Sequence, residues 1–462
     1  MFSTQTYLKR REKLIQQVED TGLLLFLSNG ENPINFEDNT YRFRQDSTFL
    51  YYFGIQQAHI AAVVDLDANK TLIFGDELSM DALVWMGRQE TLKAKCEKTG
   101  VTETRPYATL APYIFAAQTA KRNIHYLPPY QPANKIILSE LLQVAIADLQ
   151  PSTALIQAIV AQREIKEEQE ISEIEKALTI STRMHLAAMR LAKPGVKEYE
   201  IAAAIQQIAA QEDCALAYPS IVTVQGGILH NHYQGNTLQS GQLLLNDSGC
   251  EVPMGYASDL TRTFPVDPRF TPEQRDLYQV VLTAFEEAKN QLKAGVKFKE
   301  VHLHAALVLT QGLIDFGLMK GNAADAVEAH AHTMFFQCGL GHMMGLDVHD
   351  MEDLGEQYVG YTPSEPKETQ QFGLKSLRLG KALKAGHVVT VEPGIYFIPE
   401  LIERWEAEKK YMDFINYEKL KQYQGFGGIR IEDNFLIQEK GYRQLGPELI
   451  RTVEEIEAYK MG

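Results

Sequence analysis

The chain has 462 residues, of which 45% are hydrophobic and 23% are charged, and its formal net charge at pH 7 is −15. This length predicts two or three domains, and the composition is that of an ordinary globular protein with enough apolar residues for a large core. The negative charge argues against nucleic acid or an anionic membrane as a partner.

Neither a secretory nor a membrane-spanning pattern is present. Residues 1–11 have no apolar core, and no stretch reaches 18 consecutive apolar residues. The four cysteines, Cys96, Cys214, Cys250 and Cys338, are far apart and lack CxxC spacing, which predicts reduced thiols. We therefore expect a cytoplasmic protein.

The N-terminal third of the chain predicts an α/β domain. Short apolar runs at Leu23–Leu27, His59–Leu66 and Thr71–Phe74 predict strands, and a helix is predicted over Leu8–Glu19. Aromatic residues are concentrated in residues 41–54. Such a cluster is more typical of a core than of a ligand site.

The C-terminal part contains a short internal repeat. Lys193–Lys197 (KPGVK) recurs as Lys293–Lys297 (KAGVK), and each copy leads into a predicted helix, Glu200–Gln211 or Glu300–Phe316. A repeated helix–turn–helix predicts two similar halves around a pseudo-twofold axis. Chance similarity at a common helix–turn sequence is the alternative.

Four segments of the C-terminal half contain five candidate metal ligands. Their apolar, β-branched runs predict buried strands, where an ionised carboxylate is costly unless it is paired or binds a metal. Four carboxylates and one imidazole suit two hard or borderline cations such as Mn²⁺, which would activate a shared water for hydrolysis. The ligands are Asp247 and Asp259 in NDSGCEVPMGYASDLTRTFPV, His342 in GLGHMMGLDVHD, Glu392 in HVVTVEPGIYF and Glu432 in GGIRIEDN.

Arg430 lies two residues before Glu432 and would share its face in a strand. It is either the partner of Glu432 or a support for the metal ligands. For this segment taken alone, a buried Arg–Glu pair without metal is the alternative.

These segments resemble those of the pita-bread metalloexopeptidases, in the branch that contains aminopeptidase P and the Xaa-Pro dipeptidases (prolidases). The resemblance covers the whole chain. It implies an α/β protein with an N-terminal α/β domain over residues 1–160 and a catalytic pita-bread domain over residues 165–462. In the catalytic domain, helices would back a curved antiparallel sheet with a pseudo-twofold repeat.

The resemblance also implies roles for the five ligands. Asp247 would bind one metal, His342 and Glu392 the other, and Asp259 and Glu432 would bridge the two. Glu392 would also act as the general base that accepts a proton from the bridging water. Two divalent ions are implied, with Mn²⁺ expected and Co²⁺ or Zn²⁺ as alternatives.

Further residues match positions that face the substrate in this family. His349 would stabilise the oxyanion or hold the substrate, and His230 would face the substrate, with His232 as its alternative. Arg378 matches an arginine with which prolidases bind the free carboxylate of a dipeptide. We also count Arg430 among the residues that could bind substrate.

One position departs from the family pattern. Cys338 stands where the family usually has the first histidine of H-G-x-x-H, which is an auxiliary residue and not a metal ligand. The departure leaves the metal assignment unchanged and bears on the pH profile. The alternative is that Cys338 is only a small packing residue.

The implied activity is hydrolysis of the bond between an N-terminal residue and a following proline. The N-terminal aromatic motif favours an aminopeptidase P that accepts longer peptides over a prolidase that requires a dipeptide. A creatinase-like metal-free hydrolase and a non-catalytic scaffold of the same fold are less favoured, because such proteins lose ligands that this chain keeps. A homodimer or homotetramer is expected.

Overall fold

A computed structural model describes residues 1–18 and 20–462 and divides them into two compact units. The first unit consists of Met1–Arg163 and Met351–Tyr358, and the second of Glu164–Asp350 and Val359–Gly462. Within the described residues, no helix combines the length and apolar character needed to cross a bilayer.

The first unit contains a five-stranded sheet in the order β6-β5-β4-β1-β7, flanked by helices. Strands β1, β4 and β5 are antiparallel neighbours, whereas β6 and β7 pair in parallel at the two edges. The strands are β1 (Leu23–Leu27), β2 (Pro33–Phe36), β3 (Asn39–Thr40), β4 (Ala61–Asp65), β5 (Lys70–Phe74), β6 (Glu103–Arg105) and β7 (Ile124–His125). The helices are α1 (Thr4–Gln17), α2 (Ser47–Phe53), α3 (Met80–Met86), α4 (Leu92–Glu97), α5 (Leu110–Thr119), α6 (Pro132–Leu142) and α7 (Thr153–Arg163).

The core of this unit follows the period of two that strands impose. Alternate residues of β1, β4 and β5 pack against α5 and α6, and they are Leu23, Leu25, Ala61, Val63, Leu72 and Phe74. The three strands predicted from the sequence are therefore present, and β1 has the predicted bounds.

The first helix and the aromatic segment differ from expectation in detail. The helix α1 begins at Thr4, because the Ser3 side chain accepts from the Thr6 N–H and caps it. The last residue of its predicted range, Glu19, lies outside the described residues. All residues of α2 are buried, as expected for a core cluster, but Tyr41 is 61% exposed.

The second unit is built from helix pairs and small antiparallel sheets. Its strands are β8 (Ala215–Leu216), β9 (Ile221–Thr223), β10 (Leu243–Asp247), β11 (Cys250–Glu251), β12 (Thr261–Pro265), β13 (Val388–Val391), β14 (Gly394–Tyr396), β15 (Gly428–Arg430), β16 (Asp433–Gln438) and β17 (Gly441–Gln444). The longer helices are α8 (Glu168–Leu191), α9 (Glu198–Gln211), α10 (Pro272–Asn290) and α11 (Phe298–Phe316). The shorter ones are α12 (Ala323–Glu328), α13 (Glu356–Val359), which spans the boundary between the units, α14 (Pro399–Ala407), α15 (Tyr417–Leu420) and α16 (Val453–Met461).

Two halves of the second unit repeat each other down to single hydrogen bonds. In the turn between α8 and α9, the Gly195 N–H donates to Leu238 O at 2.8 Å, and in the turn between α10 and α11 the Gly295 N–H donates to Leu383 O at 2.8 Å. The two glycines have φ of +93° and +87°. The first half carries the sheet β12-β10-β9, and the second carries β13-β16-β17. The predicted duplication is therefore a structural repeat and not a chance similarity.

Candidate metal centre

Strand ends bring the predicted carboxylates together in the second unit. Asp247 is the last residue of β10 and pairs with Thr261 of β12, while Asp259 lies two residues before β12. Glu392 directly follows β13, and Glu432 lies between β15 and β16. A backbone bridge between Thr261 and Glu432 links the halves at this point. Both halves of the repeat thus contribute carboxylates to one site.

The fifth predicted ligand, His342, reaches the site from an extended segment beside β13. The Thr390 N–H donates to His342 O at 3.0 Å, and the Glu392 N–H donates to Leu340 O at 2.7 Å. A Cβ at Gly341 would lie 2.1 Å from Thr390 O. Only glycine therefore allows this segment to lie close enough to place His342 beside Glu392.

One cavity of about 210 Å³ is lined by all the residues that were predicted for the metal and substrate site. Single ligand atoms of Asp259, His342 and Glu432 lie within 4.8 Å of one another. His342 Nε2 is 3.4 Å from Asp259 Oδ2 and 3.7 Å from Glu392 Oε1. The cavity is lined by Asp247, Asp259, His342, Glu392 and Glu432, and by His230, His232, Cys338, His349, Arg378 and Arg430.

Two buried donors orient Asp247. Arg430 Nη2 donates to Asp247 Oδ2 at 2.5 Å. The Tyr218 hydroxyl is 2.7 Å from Asp247 Oδ1 and 2.5 Å from Asp259 Oδ1, so its single proton lies between the two carboxylates. Arg430 thus donates to one oxygen of Asp247, and the other oxygen shares the Tyr218 proton with Asp259.

Of the two roles considered for Arg430, partner of Glu432 or support for a metal ligand, its contacts favour the second. It supports a predicted ligand, but that ligand is Asp247, whereas Glu432 Oε2 accepts from Thr261 Oγ1 at 2.7 Å. Arg430 also donates through Nη1 to Tyr396 Oη at 2.9 Å and through Nε to Thr261 Oγ1 at 3.2 Å. Three of the five guanidinium N–H groups of Arg430 are thus engaged within the protein, and Arg430 also lines the cavity, so its contact with a substrate stays a prediction.

Burial and repulsion between carboxylates dominate the electrostatics of the site. Burial raises the pKa of Glu392 to about 7, and burial together with the neighbouring carboxylates raises the pKa of Glu432 and of Asp247. Burial also acts to raise the pKa of Asp259, but its interactions with His342 outweigh this and lower it overall. Despite its burial, the carboxylates raise the pKa of His342.

The residues fit a divalent cation. Glu432 Oε1 is buried and has no hydrogen-bond partner among the described residues. An ionised carboxylate in this position is costly unless a cation binds it. The donor set of four carboxylates and one imidazole suits a hard or borderline divalent metal. The sequence expectation of a metal centre is therefore consistent with the chemistry of the cavity.

The remaining predicted residues lie around the same cavity. The His349 ring is 4.3 Å from the His342 ring, centroid to centroid, at 68°. His230, His232 and Arg378 also line the cavity. Since both His230 and His232 are present there, the choice between them stays open.

Two tyrosines of the site were not singled out from the sequence. Tyr218 contacts both aspartates, and Tyr396 accepts from Arg430. Tyr218 is followed by Pro219 just before the buried strand β9, but a Tyr-Pro pair alone does not predict a contact with carboxylates 29 and 41 residues away. Tyr396 lies in the same peptide as Glu392, but nothing in that peptide predicts a contact between its hydroxyl and Arg430.

Cys338 faces the site. Its Sγ is 3.7 Å from Tyr396 Oη. Burial, and then the charge of Glu392, raise the pKa of the thiol to about 12, so it is protonated at neutral pH. The alternative that Cys338 is only a small packing residue stays open.

Comparison with known proteins identifies the family. The model of metallopeptidase family M24 matches residues 172–439, and the model of the aminopeptidase P N-terminal domain matches residues 7–125. The chain is 33% identical to a probable Xaa-Pro aminopeptidase of Botryotinia fuckeliana over 98% of this chain and 93% of that protein. It is 29% identical to the Xaa-Pro dipeptidase of Homo sapiens over 96% of this chain and 89% of that protein.

Solved structures of the same family resemble the whole chain. Proline aminopeptidase P II from Yersinia pestis superposes with a TM-score of 0.81 at 27% identity and covers 100% of both chains. Escherichia coli aminopeptidase P with the inhibitor Pro-Leu has the same score and identity, over 100% of this chain and 98% of that chain. These matches extend over both the N-terminal α/β part and the catalytic part. The chain belongs to metallopeptidase family M24.

Proposed function

We propose that this protein is a metalloexopeptidase that hydrolyses the bond between an N-terminal residue and a following proline, as an Xaa-Pro aminopeptidase. The observation that carries the proposal is that the five candidate cation ligands line one cavity, where ligand atoms of three of them lie within 4.8 Å of one another. Relatives named as Xaa-Pro aminopeptidases, which match over 98% of this chain, support the substrate class.

The ligand roles belong to this proposal. Asp247 would bind one cation, His342 and Glu392 the other, and Asp259 and Glu432 both. Divalent cations bound there would lower the pKa of a water and polarise the scissile carbonyl. We propose Mn²⁺, because the donor set is rich in carboxylates. Co²⁺ and Zn²⁺ are the alternatives, and one solved Escherichia coli aminopeptidase P is Zn-substituted.

The chain's own groups would handle the proton and the substrate. Glu392, whose pKa burial raises to about 7, is suited to accept a proton at neutral pH and pass it on. His349 and His230 line the same cavity and offer ring N–H groups to the substrate carbonyl oxygen, with His232 as the alternative to His230.

An Xaa-Pro dipeptidase is the second candidate function, and it differs from the first in the length of peptide that it accepts. Arg378 lines the cavity, and a guanidinium there suits the free carboxylate of an Xaa-Pro dipeptide. The match to the human Xaa-Pro dipeptidase keeps a prolidase as the alternative. We favour the aminopeptidase because of the aromatic motif around α2.

We also propose a domain division, a compartment and an assembly. Residues 1–160 would form the N-terminal domain and residues 165–462 the catalytic domain.

A cytoplasmic location is supported by the four cysteines, which are all free thiols in the structure. We propose a homodimer or homotetramer, to be tested by light scattering, with the exposed Tyr41 as a candidate contact.

The proposed function is tested by a peptide assay. Metal-stripped protein, reloaded with Mn²⁺, is given an Xaa-Pro dipeptide and a longer Xaa-Pro-Pro peptide, with matched peptides that carry alanine at the second position as controls. We expect release of the N-terminal residue from the longer proline peptide and not from its alanine control. The variant Glu392→Gln should lower kcat at least ~100-fold, because it removes the proton acceptor.

The same assay separates the two functions. Cleavage confined to the dipeptide would make the protein a prolidase, and Arg378→Gln should then raise KM for the dipeptide. If the longer peptide is cleaved, the same variant should leave its KM within about twofold, since no free carboxylate is bound there. No cleavage of either peptide by protein with bound Mn²⁺ would refute the Xaa-Pro assignment.

A further inference from the structure

The thiol of Cys338 ends a chain of contacts that begins at a predicted metal ligand. Asp247 Oδ2 accepts from Arg430 Nη2 at 2.5 Å, and Arg430 Nη1 donates to Tyr396 Oη at 2.9 Å. Cys338 Sγ lies 3.7 Å from the same hydroxyl, with the thiol as donor. Tyr396 is 0% exposed and Arg430 is 4% exposed, so water does not compete strongly for these contacts.

The hydroxyl of Tyr396 has little freedom to move. A Cβ at Gly394 would lie 2.5 Å from Tyr396 Oη, so the backbone lies directly against the phenol. The oxygen accepts from Arg430 on one side and from the Cys338 thiol on the other. A phenol oxygen has two lone pairs, and both are therefore engaged.

The position of Arg430 in turn decides how Asp247 is held. Arg430 donates to one oxygen of Asp247, and Tyr218 to the other. If Tyr396 shifted, Arg430 Nη1 would lose its acceptor and the guanidinium could rotate. The rotation would weaken the contact between Arg430 and Asp247, which is one of the two that hold the carboxylate. Outer contacts of this kind tune how tightly a ligand binds its metal.

We propose that Cys338 is a positioning residue for Asp247 that acts through Tyr396 and Arg430. The inference rests on the metal-dependent function proposed above. Its S–H holds the Tyr396 oxygen in line with Arg430, so the Asp247 carboxylate is oriented before a cation binds. The thiol itself touches neither the substrate nor the reacting atoms in this role.

The test is a double-mutant cycle read by Mn²⁺ titration of the metal-free full-length protein, without substrate. The variants are Cys338→Ala, Cys338→Val, Tyr396→Phe and the double variants. Neither variant has a donor, but alanine leaves the space of the thiol empty whereas valine overfills it by about a methyl group, so a loss that both share is due to the hydrogen bond and not to packing. Each change at Cys338 should weaken Mn²⁺ binding by about 10-fold, at the lower end of effects from outer contacts.

The decisive result is the cycle. In the Tyr396→Phe background, which lacks the acceptor, changing Cys338 should alter Mn²⁺ affinity by less than about twofold. Cys96→Val, a buried thiol of the other unit, should leave Mn²⁺ affinity unchanged. Additive losses in the double variant, or wild-type affinity in Cys338→Val, would overturn the proposal. Melting temperatures of the metal-free variants identify any that fail to fold, and Cys338→Ala then replaces the valine variant in the cycle.

The titration and the peptide assay can fail separately. A cycle that closes as expected in a protein that cleaves no Xaa-Pro peptide would support the positioning role and refute the proposed substrate. Cleavage of the Xaa-Pro peptide together with additive losses in the double variant would support the proposed substrate and refute the positioning role. A wild-type protein that binds no Mn²⁺ in the titration would overturn the positioning role.

Discussion

Glu432 bears an electrostatic cost that a bound cation would relieve. Its side chain is buried, Oε1 has no partner among the described residues, and burial with the nearby Asp259 and Glu392 raises its pKa. Replacing Glu432 with glutamine removes this charge. We therefore expect Glu432→Gln to raise the melting temperature of the metal-free protein and to abolish the further rise that Mn²⁺ produces in the wild type.

The measurement is thermal unfolding with and without Mn²⁺. At 100 times its dissociation constant, a ligand stabilises a protein by about 2.7 kcal/mol, which is a readily measured shift. Glu439→Gln, a change at an exposed glutamate in the turn after β16, serves as the control and should respond to Mn²⁺ like the wild type. A normal Mn²⁺ response in Glu432→Gln would exclude Glu432 as a ligand.

The hydroxyl of Tyr218 allows a second test of the metal site. Its hydroxyl lies between Asp247 and Asp259 and separates two like charges. Without it, the carboxylates repel each other and lose a donor, so Tyr218→Phe should weaken Mn²⁺ binding and lower kcat/KM by about 10-fold. Tyr199→Phe, on an exposed tyrosine, provides a matched control. Unchanged Mn²⁺ affinity in Tyr218→Phe would show that the contact has no effect on the site.

The sequence predicted which five candidate ligands line the cavity because each lies in a distinctive peptide next to an apolar run. Tyr218 was missed because its partners lie far along the chain and no local pattern marks the contact. For the same reason, the sequence could not say which predicted ligand Arg430 supports. Strand periodicity put Arg430 on the face of Glu432, but Asp247, 183 residues away, is the carboxylate that its guanidinium meets. Local pattern thus predicted which residues line the site, and tertiary pairing decided their contacts.

At the scale of elements, the repeat could be predicted from five residues in each copy, whereas the helix starts could not. The helices α9 and α11 each begin two residues earlier than expected, at Glu198 and Phe298. The Glu198 N–H donates to Asn236 O, and the Phe298 N–H donates to Lys381 O. These acceptors are distant in the sequence, so the apolar pattern by itself does not mark the first turn.

The repeat leads to a prediction about its two turns. Gly195 and Gly295 both have positive φ, and a Cβ at either would meet no atom within 4 Å. Alanine would therefore fit in space but be strained in conformation, at a cost of about 1–2 kcal/mol in each case. We expect Gly195→Ala and Gly295→Ala to lower the melting temperature by similar amounts.

The control for this pair is Gly341→Ala, where a Cβ would collide with the backbone of Thr390. That variant should be destabilised much more and should also lose Mn²⁺ binding, because His342 would be displaced. Thermal unfolding of the three variants makes the comparison. Clearly unequal effects of the two turn variants would contradict the equivalence of the halves.

At the scale of the whole molecule, buried neutral histidines couple stability to pH. Burial lowers the pKa of His185 to about 4, of His302 to about 3 and of His332 to about 4. His185 is hydrogen-bonded through both ring nitrogens, whereas His302 Nδ1 and both ring nitrogens of His332 lack partners among the described residues. None of the three lines the metal cavity.

The sign follows from proton binding. In the unfolded chain, histidine has a pKa of about 6.5 and binds a proton below that pH, whereas these histidines stay neutral in the folded protein down to about pH 4. Their contribution to stability is therefore fully present above about pH 6.5 and is lost as the pH falls toward 4, by up to ~1.4 kcal/mol per pH unit for each histidine. The raised pKa of Glu392 and Glu432 acts in the opposite direction in the metal-free protein.

We expect the free energy of unfolding of His302→Gln to fall less than that of the wild type as the pH is lowered from about 6.5 to about 5 in the metal-free protein, because the variant lacks one of the groups that must stay neutral. Urea unfolding of both proteins at several pH values measures the slope, which does not depend on any pH-independent cost of the substitution. His59→Asn, on an exposed histidine with positive φ that asparagine tolerates, should keep the wild-type slope. An unchanged slope in His302→Gln would mean that His302 takes up its proton equally in the folded and unfolded states, and that burial does not keep it neutral.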